Sequence, residues 1–230
     1  MKTIGILGGM GPFATVDLFQ KIVINTPACI DQEHPKIIIY NNPTIPPRIF
    51  HTTEENSPLS DLIQTAIVLE QTGADFIIMP CHTAHIWYEQ IKNAISIPFY
   101  SLIDETVKAM KEEYHSSKNK KALLLATSHT ISSKLYQNAF SNSDFELLIP
   151  NKREQIIVDS TIKVAKKGMI NTQSVAELNF VINSYYNQGV SLLMGCCTEI
   201  PLMFSYFTTE MKMIDPTLLL AKFAINQALE

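Results

Sequence analysis

Short, unbroken apolar runs alternate along this chain with longer amphipathic segments. The runs are residues 3–7, 36–40, 75–79, 98–102, 122–125, 145–149, 191–194 and 212–214. They are rich in Ile, Val, Leu and Phe, and most are continuous rather than alternating, as expected of parallel strands buried on both faces. The segments between them, 14–24, 59–72, 104–113, 155–167 and 175–187, carry helical spacing. Strand and helix in regular alternation predict an α/β fold in which helices cover parallel sheets.

The second half repeats the first. Lys2-Thr-Ile-Gly-Ile-Leu-Gly8 resembles Lys120-Lys-Ala-Leu-Leu-Leu-Ala126, and each opens a half that closes on a Cys at a strand end. Gly8 to Cys81 is 73 positions and Ala126 to Cys197 is 71. The expectation is two similar, pseudo-symmetric domains, each a mainly parallel sheet flanked by helices, with the active site in the cleft between them. The limits are placed at 1–98 plus 213–230 and at 99–212, with a last helix over 216–229 returning to the first domain.

The chemistry gathers at those two strand ends: Ala74-Asp-Phe-Ile-Ile-Met-Pro-Cys81-His-Thr83 and Gly189-Val-Ser-Leu-Leu-Met-Gly-Cys196-Cys197-Thr198-Glu199. Ligands of open α/β sheets bind outside the carboxyl ends of the strands. A thiol there, at the mouth of a helix, is expected to have its pKa lowered by the helix dipole. Eight positions separate Gly73 from Cys81 and Gly189 from Cys197, so Cys197 rather than Cys196 is the counterpart of Cys81. Cys196, on the opposite side of an extended chain, is expected to face packing, and Cys29 has no strand or turn beside it.

Other candidates carry weaker signals. Gly9-Met10-Gly11-Pro-Phe-Ala14 formally fits a dinucleotide fingerprint, but the second strand ends in Asn41-Asn-Pro43 instead of the acidic residue that would take a ribose. The glycines are read as letting backbone N–H groups approach a small ligand. Arg48, in a proline-containing loop, could hold a carboxylate or be solvated. Lys166 and Lys167 end a helix, where lysines are favoured anyway. Thr127 and Thr130 lie where a carboxylate could be cradled, although helix capping is the commoner outcome. His82 and His85 with the cysteines lack the spacing of a zinc motif, so no metal is expected. His115 and His129 are expected in solvent, and Asp17 and Glu70 on exposed helix faces.

Composition narrows the field. The 230 residues are 46% hydrophobic with a net charge of -4 and a pI near 5.9, which gives no footprint for nucleic acid and no basic segment for a membrane surface. No apolar stretch approaches the roughly 20 residues a spanning helix needs. Four cysteines in a chain of this length suit a reducing cytoplasm better than a disulfide framework.

Met1-Lys-Thr-Ile-Gly-Ile-Leu-Gly-Gly-Met-Gly-Pro12, Asp31-Gln-Glu-His-Pro35, Asn41-Asn-Pro43, Met79-Pro-Cys-His-Thr-Ala-His85 and Cys197-Thr-Glu-Ile200 together resemble the cofactor-independent aspartate racemases of the aspartate/glutamate/hydantoin racemase superfamily. The resemblance runs nearly the full length. It implies racemisation by two bases, Cys81 and Cys197, with no cofactor, on a small amino acid substrate, in a homodimer. It also implies that Arg48 and Lys167 hold a side-chain carboxylate. Thr83, Thr127, Thr130 and Thr198 would line the amino acid's polar head, with Met10, Asn41, His82 and Glu199 in the same binding set. Three positions depart from the pattern: His82 stands for an Asn, Cys196 for a Gly and His129 for a Gly. Glutamate or a broader set of amino acids, a related isomerisation or decarboxylation, and a non-catalytic thiol redox module remain as rival readings.

Overall fold

A computed structural model describes residues 1–48 and 57–230. Its strands β1 (Ile4–Gly8), β2 (Ile37–Asn41), β3 (Phe76–Ile78) and β4 (Phe99–Tyr100) form one sheet in the order β2-β1-β3-β4. A second sheet holds β5 (Lys121–Leu125), β6 (Glu146–Leu148), β7 (Leu192–Gly195) and β8 (Lys212–Ile214) in the order β6-β5-β7-β8. Every pairing is parallel, and each apolar run of the sequence supplies one strand. The helices are α1 (Pro12–Asn25), α2 (Leu59–Gln71), α3 (Tyr88–Lys92), α4 (Leu102–Glu113), α5 (Ser128–Ser132), α6 (Leu135–Ala139), α7 (Lys152–Lys166), α8 (Ala176–Asn187) and α9 (Pro216–Leu229).

Two compact units result, one of Met1–Thr106 with Thr217–Glu230 and the other of Val107–Pro216. Beside the limits expected at 98/99 and 212/213, the crossings fall eight and four residues later. The cause is strand pairing: β4 is hydrogen-bonded to β3 in the first sheet and β8 to β7 in the second.

In the first unit the pleat sends alternate residues to opposite faces. Ile4, Ile6, Phe76 and Ile78 meet Leu18 and Ile22 of α1 and Leu220, Ala224 and Ile225 of α9, while Leu7, Ile77 and Met79 meet Leu62, Ala66 and Leu69 of α2. In the second unit Leu123, Leu125 and Leu193 pack against Val158 and Ile162 of α7 and Leu178 and Ile182 of α8. Each of these Leu, Ile, Val, Phe or Met side chains, when fully removed from water, contributes about 1.5–3 kcal/mol.

The repeat extends to hydrogen-bond register. Ile4 lies beside Phe76 and Ile6 beside Ile78; in the second sheet Ala122 lies beside Leu192 and Leu124 beside Met194. The helices before β3 and β7, α2 and α8, also end in the same way. Gly73 has φ +98° and Gly189 φ +83°, a left-handed conformation that glycine adopts at least cost. Around them Gly73 N–H donates to the Glu70 carbonyl and Ala74 N–H to Leu69, as Gly189 N–H does to Tyr186 and Val190 N–H to Tyr185. This paired closure stops the helix and turns the chain into the strand.

The edge strands depart from expectation, β2 most of all. β2 stands at the edge of its sheet, so its apolar run is not buried on both sides, and Ile39 and Tyr40 are exposed. Helix α1 is apolar on two faces: Ala14, Leu18 and Ile22 turn inward while Phe13, Val16 and Val23 are left in solvent.

Candidate active site

The carboxyl ends of both sheets collect the residues singled out in the sequence. In the first unit Cys81 lies just beyond β3, Met10 beyond β1 and Asn41 at the end of β2. Cys81 is 6% exposed and shares a buried cluster with Met10, Ile45, Met79 and Trp87. Met10 is therefore a core side chain, whereas Asn41 is exposed. Cys81 N–H donates to the Met79 carbonyl at 3.0 Å, and its own carbonyl meets Nδ1 of His85 at 2.8 Å.

In the second unit Cys197 lies just beyond β7 and is 7% exposed. Its Sγ donates to Oε2 of Glu199 at 2.9 Å, and the Thr198 hydroxyl donates to the same oxygen at 3.3 Å. Glu199 and Thr198 are buried with it. Cys196 is fully enclosed, and burial pushes its thiol pKa far up against an opposing hydrogen bond from Tyr136. The register argument separating the two neighbouring sulfurs thus has a physical counterpart: one is packing, the other has a carboxylate on it.

The expected helix dipole is not what acts on the second thiol. No α-helix begins directly after either cysteine: 3₁₀ turns follow, Thr83–Trp87 after the first and Pro201–Tyr206 after the second. The Cys197 pKa is raised well above that of a free thiol, first by burial and then by the Glu199 carboxylate, with the Lys166 ammonium opposing. At neutral pH this sulfur carries its proton.

The glycine loop after β1 also has a structural use. A Cβ on Gly8 would meet the Thr15 side chain at 2.5 Å, and one on Gly9 would sit 2.3 Å from the Asn42 backbone, at φ +102°. The Gly9 N–H is taken by the Thr15 hydroxyl at 2.9 Å, and Asn42 N–H donates to the Gly8 carbonyl. These two glycines let α1 and the segment after β2 approach β1, so the reading of them as ligand-facing N–H donors is replaced by close packing. Of the glycines in this loop, Gly11 alone has open space where a Cβ would lie.

Arg48 is half-buried, with Nη1 donating to the Pro46 carbonyl at 3.3 Å. Lys167 caps the end of α7 and is exposed, as is Lys166. The Thr127 hydroxyl accepts from the Thr130 N–H at 3.2 Å and so caps α5, and Thr130 is buried. That turn is pinned from α7: Asp159 accepts from the Ser128 N–H at 3.0 Å and from its hydroxyl, and Gln155 donates to the Ala126 carbonyl at 2.9 Å. His82 is 3% exposed and kept neutral by burial, with His85 and Lys21 adding to the effect. Thr83, half-buried, opens the 3₁₀ turn after Cys81. Asp17 and Glu70, expected on exposed faces, are tied down by Lys21 and by Ser96 with Ile97.

Two residues acquire contacts that the sequence did not suggest, Glu199 on a sulfur and His85 on a cysteine carbonyl. The only linear hints are a carboxylate two places after Cys197 and an imidazole four places after Cys81. Among the described residues no group of three or more His, Cys, Asp or Glu side chains could hold a metal ion. No described helix is long and apolar enough to cross a membrane.

A family profile described as Asp/Glu/Hydantoin racemase matches residues 7–224. The chain belongs to this family. It is thereby an amino acid racemase, an isomerase. The broad specificity amino-acid racemase of Bacillus subtilis is 30% identical over 227 residues, which are 97% of this racemase and 96% of that protein. The aspartate racemase of Picrophilus torridus superposes with a TM-score of 0.87 at 35% identity, covering 99% of this chain and 94% of that one. A glutamate racemase from Francisella tularensis in complex with D-glutamate shares the fold, with a TM-score of 0.73 at 18% identity over 99% and 81% of the two chains.

Proposed function

We propose that this racemase interconverts L- and D-aspartate without a metal or organic cofactor, with Cys81 and Cys197 acting on opposite faces of the substrate. The observation that carries the reading is the matched placement of the two thiols. Each follows the inner strand of a four-stranded parallel sheet, in the same register and at the same distance from a left-handed glycine.

The chemistry follows from protonation state. In one direction Cys197, whose S–H is aimed at Glu199, is the acid and Cys81 is the base. The Cα–H bond of one enantiomer breaks, its proton passes to the Cys81 sulfur, and the electron pair is delocalised into the α-carboxylate. The Cys197 S–H then delivers its proton to the other face of Cα, leaving thiol and thiolate exchanged. The opposite enantiomer is processed by the reverse sequence. Polar groups at the strand ends, the hydroxyls of Thr83, Thr127, Thr130 and Thr198 among them, are suited to steady the charge that builds on the α-carboxylate. Arg48 and Lys167 supply the cations for the second carboxylate. Both proton transfers are served by side chains of the chain itself, so neither pyridoxal phosphate nor a metal is called for.

Aspartate is favoured over glutamate by the likeness to the Picrophilus torridus enzyme. The likeness to the Bacillus subtilis racemase supports a second reading, the same chemistry on a broader range of amino acids. The racemase is further proposed to work as a homodimer in the cytoplasm, where free thiols persist. The apolar outer face of α1 beside the exposed edge of β2 suits a second copy of this chain.

The test is exchange in deuterated water. Purified protein is incubated with L-aspartate, L-glutamate and other amino acids, with loss of the α-proton followed by NMR and enantiomers by chiral chromatography. Cys81→Ala and Cys197→Ala should each abolish racemisation while Cys196→Ala largely spares it. Full racemase activity in either of the first two variants would sink the two-thiol mechanism. Exchange of glutamate but not aspartate would overturn the substrate.

A further inference from the structure

The two thiols share a backbone setting, yet they are supported by different chemistry. Cys197 has a carboxylate on its sulfur, and its carbonyl accepts from the backbone N–H of Ile200 at 2.9 Å. Cys81 has an imidazole on its carbonyl instead. His85 is 3% exposed, and both ring nitrogens are engaged: Nδ1 lies 2.8 Å from the Cys81 carbonyl oxygen and Nε2 lies 3.0 Å from the backbone nitrogen of Leu102. A backbone N–H can only donate, so Nε2 must be the bare, accepting nitrogen. The ring proton is therefore on Nδ1, where it donates to Cys81. This fixes one tautomer of a neutral imidazole.

The ring is also held from the sides. It stacks on Tyr88 with centroids 5.9 Å apart and 9° between planes, and Phe99 lies at 6.4 Å. The Tyr88 hydroxyl donates to the Phe99 carbonyl at 2.6 Å, closing the box around the ring. Leu102 is the first residue of α4, whose opening N–H groups lack partners within the helix. His85 thus spans from the Cys81 loop to the junction of β4 and α4.

We propose that His85 is a positioning residue for Cys81, clamping the Cys81 carbonyl to the start of α4 and so fixing the direction in which the sulfur is presented. With its N–H on Met79 and its carbonyl on His85, both backbone polar groups of Cys81 are held, and its Cα–Cβ direction is set with them. The assignment rests on Cys81 being a proton-transferring thiol. The second half does without such a clamp because Pro201 stands four places after Cys197, where His85 stands four after Cys81.

The test compares His85→Phe, which keeps an aromatic ring in the box but makes neither hydrogen bond, with His85→Asn, whose amide can still donate to the Cys81 carbonyl. Iodoacetamide labelling, read peptide by peptide by mass spectrometry, follows Cys81 and Cys197 in the same sample. Each hydrogen bond lost is worth roughly a fivefold change in a local equilibrium, so His85→Phe should speed Cys81 labelling about tenfold or more and leave Cys197 unchanged. Racemisation should lose about 100-fold in kcat, the scale of a 1 Å misplacement, with KM within about threefold, and His85→Asn should recover a substantial part. Equal acceleration at both cysteines would mean general loss of fold and would overturn the assignment. So would unaltered kcat in His85→Phe. If wild-type protein exchanges neither aspartate nor any other amino acid, the function reading fails and the labelling contrast alone decides on His85.

Discussion

The clamp makes His85 a liability in acid, by an amount that can be worked out. Burial holds the His85 pKa at about 4 in the folded protein, against 6.5 for an exposed histidine. Hydrogen bonding to Cys81 and the nearby charge of Asp104 oppose that shift and do not overcome it. Between these two values the unfolded chain binds a proton that the folded chain refuses, so stability falls as pH falls through the window from about 6.5 to about 4 and levels off below it. Each tenfold difference in proton affinity is 1.36 kcal/mol, so the loss is about 3 kcal/mol. That is a large share of a typical folding free energy of 5–15 kcal/mol. Trp87, the chain's single tryptophan, is buried in the same turn and reports on unfolding there. Urea denaturation followed by its fluorescence, at pH 7.5, 6, 5 and 4, should show wild type losing about 3 kcal/mol more than His85→Gln over the range. Taking the difference removes the titration of groups that His85 does not influence. Parallel pH dependence of the two proteins would refute the reasoning.

Other expectations follow from particular contacts. Glu199→Gln removes the charge that helps raise the Cys197 pKa, so labelling of Cys197 at pH 8 should become faster, and an unchanged or slower rate would contradict the sulfur–carboxylate contact. Gly73→Ala and Gly189→Ala meet no neighbour within 4 Å and should each cost only the left-handed backbone penalty, about 1 kcal/mol. Gly9→Ala adds a clash with the Asn42 backbone and should cost about 3 kcal/mol or more, measured by thermal unfolding. Val16→Glu, on the exposed apolar face of α1, should shift the proposed dimer to monomer in light scattering without loss of helix content by circular dichroism.

Hydrophobic continuity made every strand legible in the sequence, because a run such as Ile4–Leu7 has no amphipathic alternative, and α9 was placed to the residue. Strand order was not legible. The β2 run reads like the inner strands, and only the sheet's crossover connections put it at an edge with Ile39 and Tyr40 exposed. Register alone separated Cys197 from Cys196. The supports of the thiols were hidden for different reasons. Glu199 is two places from Cys197, but a turn had to fold its carboxylate back onto the sulfur. His85 was visible only as an idle zinc ligand, since its second partner, Leu102, belongs to another element. The glycines misled because a missing Cβ records close approach without saying whether chain or ligand approaches.

The unlike supports of the two sulfurs bear on what kinetics can reveal. Enantiomers have equal free energy in water, so the racemase must have equal kcat/KM for the L and D forms, however differently Cys81 and Cys197 are held. The inequality built by an imidazole on one side and a carboxylate on the other can surface only as compensating differences in kcat and in KM. Saturation curves for the two enantiomers would then differ in plateau while sharing an initial slope.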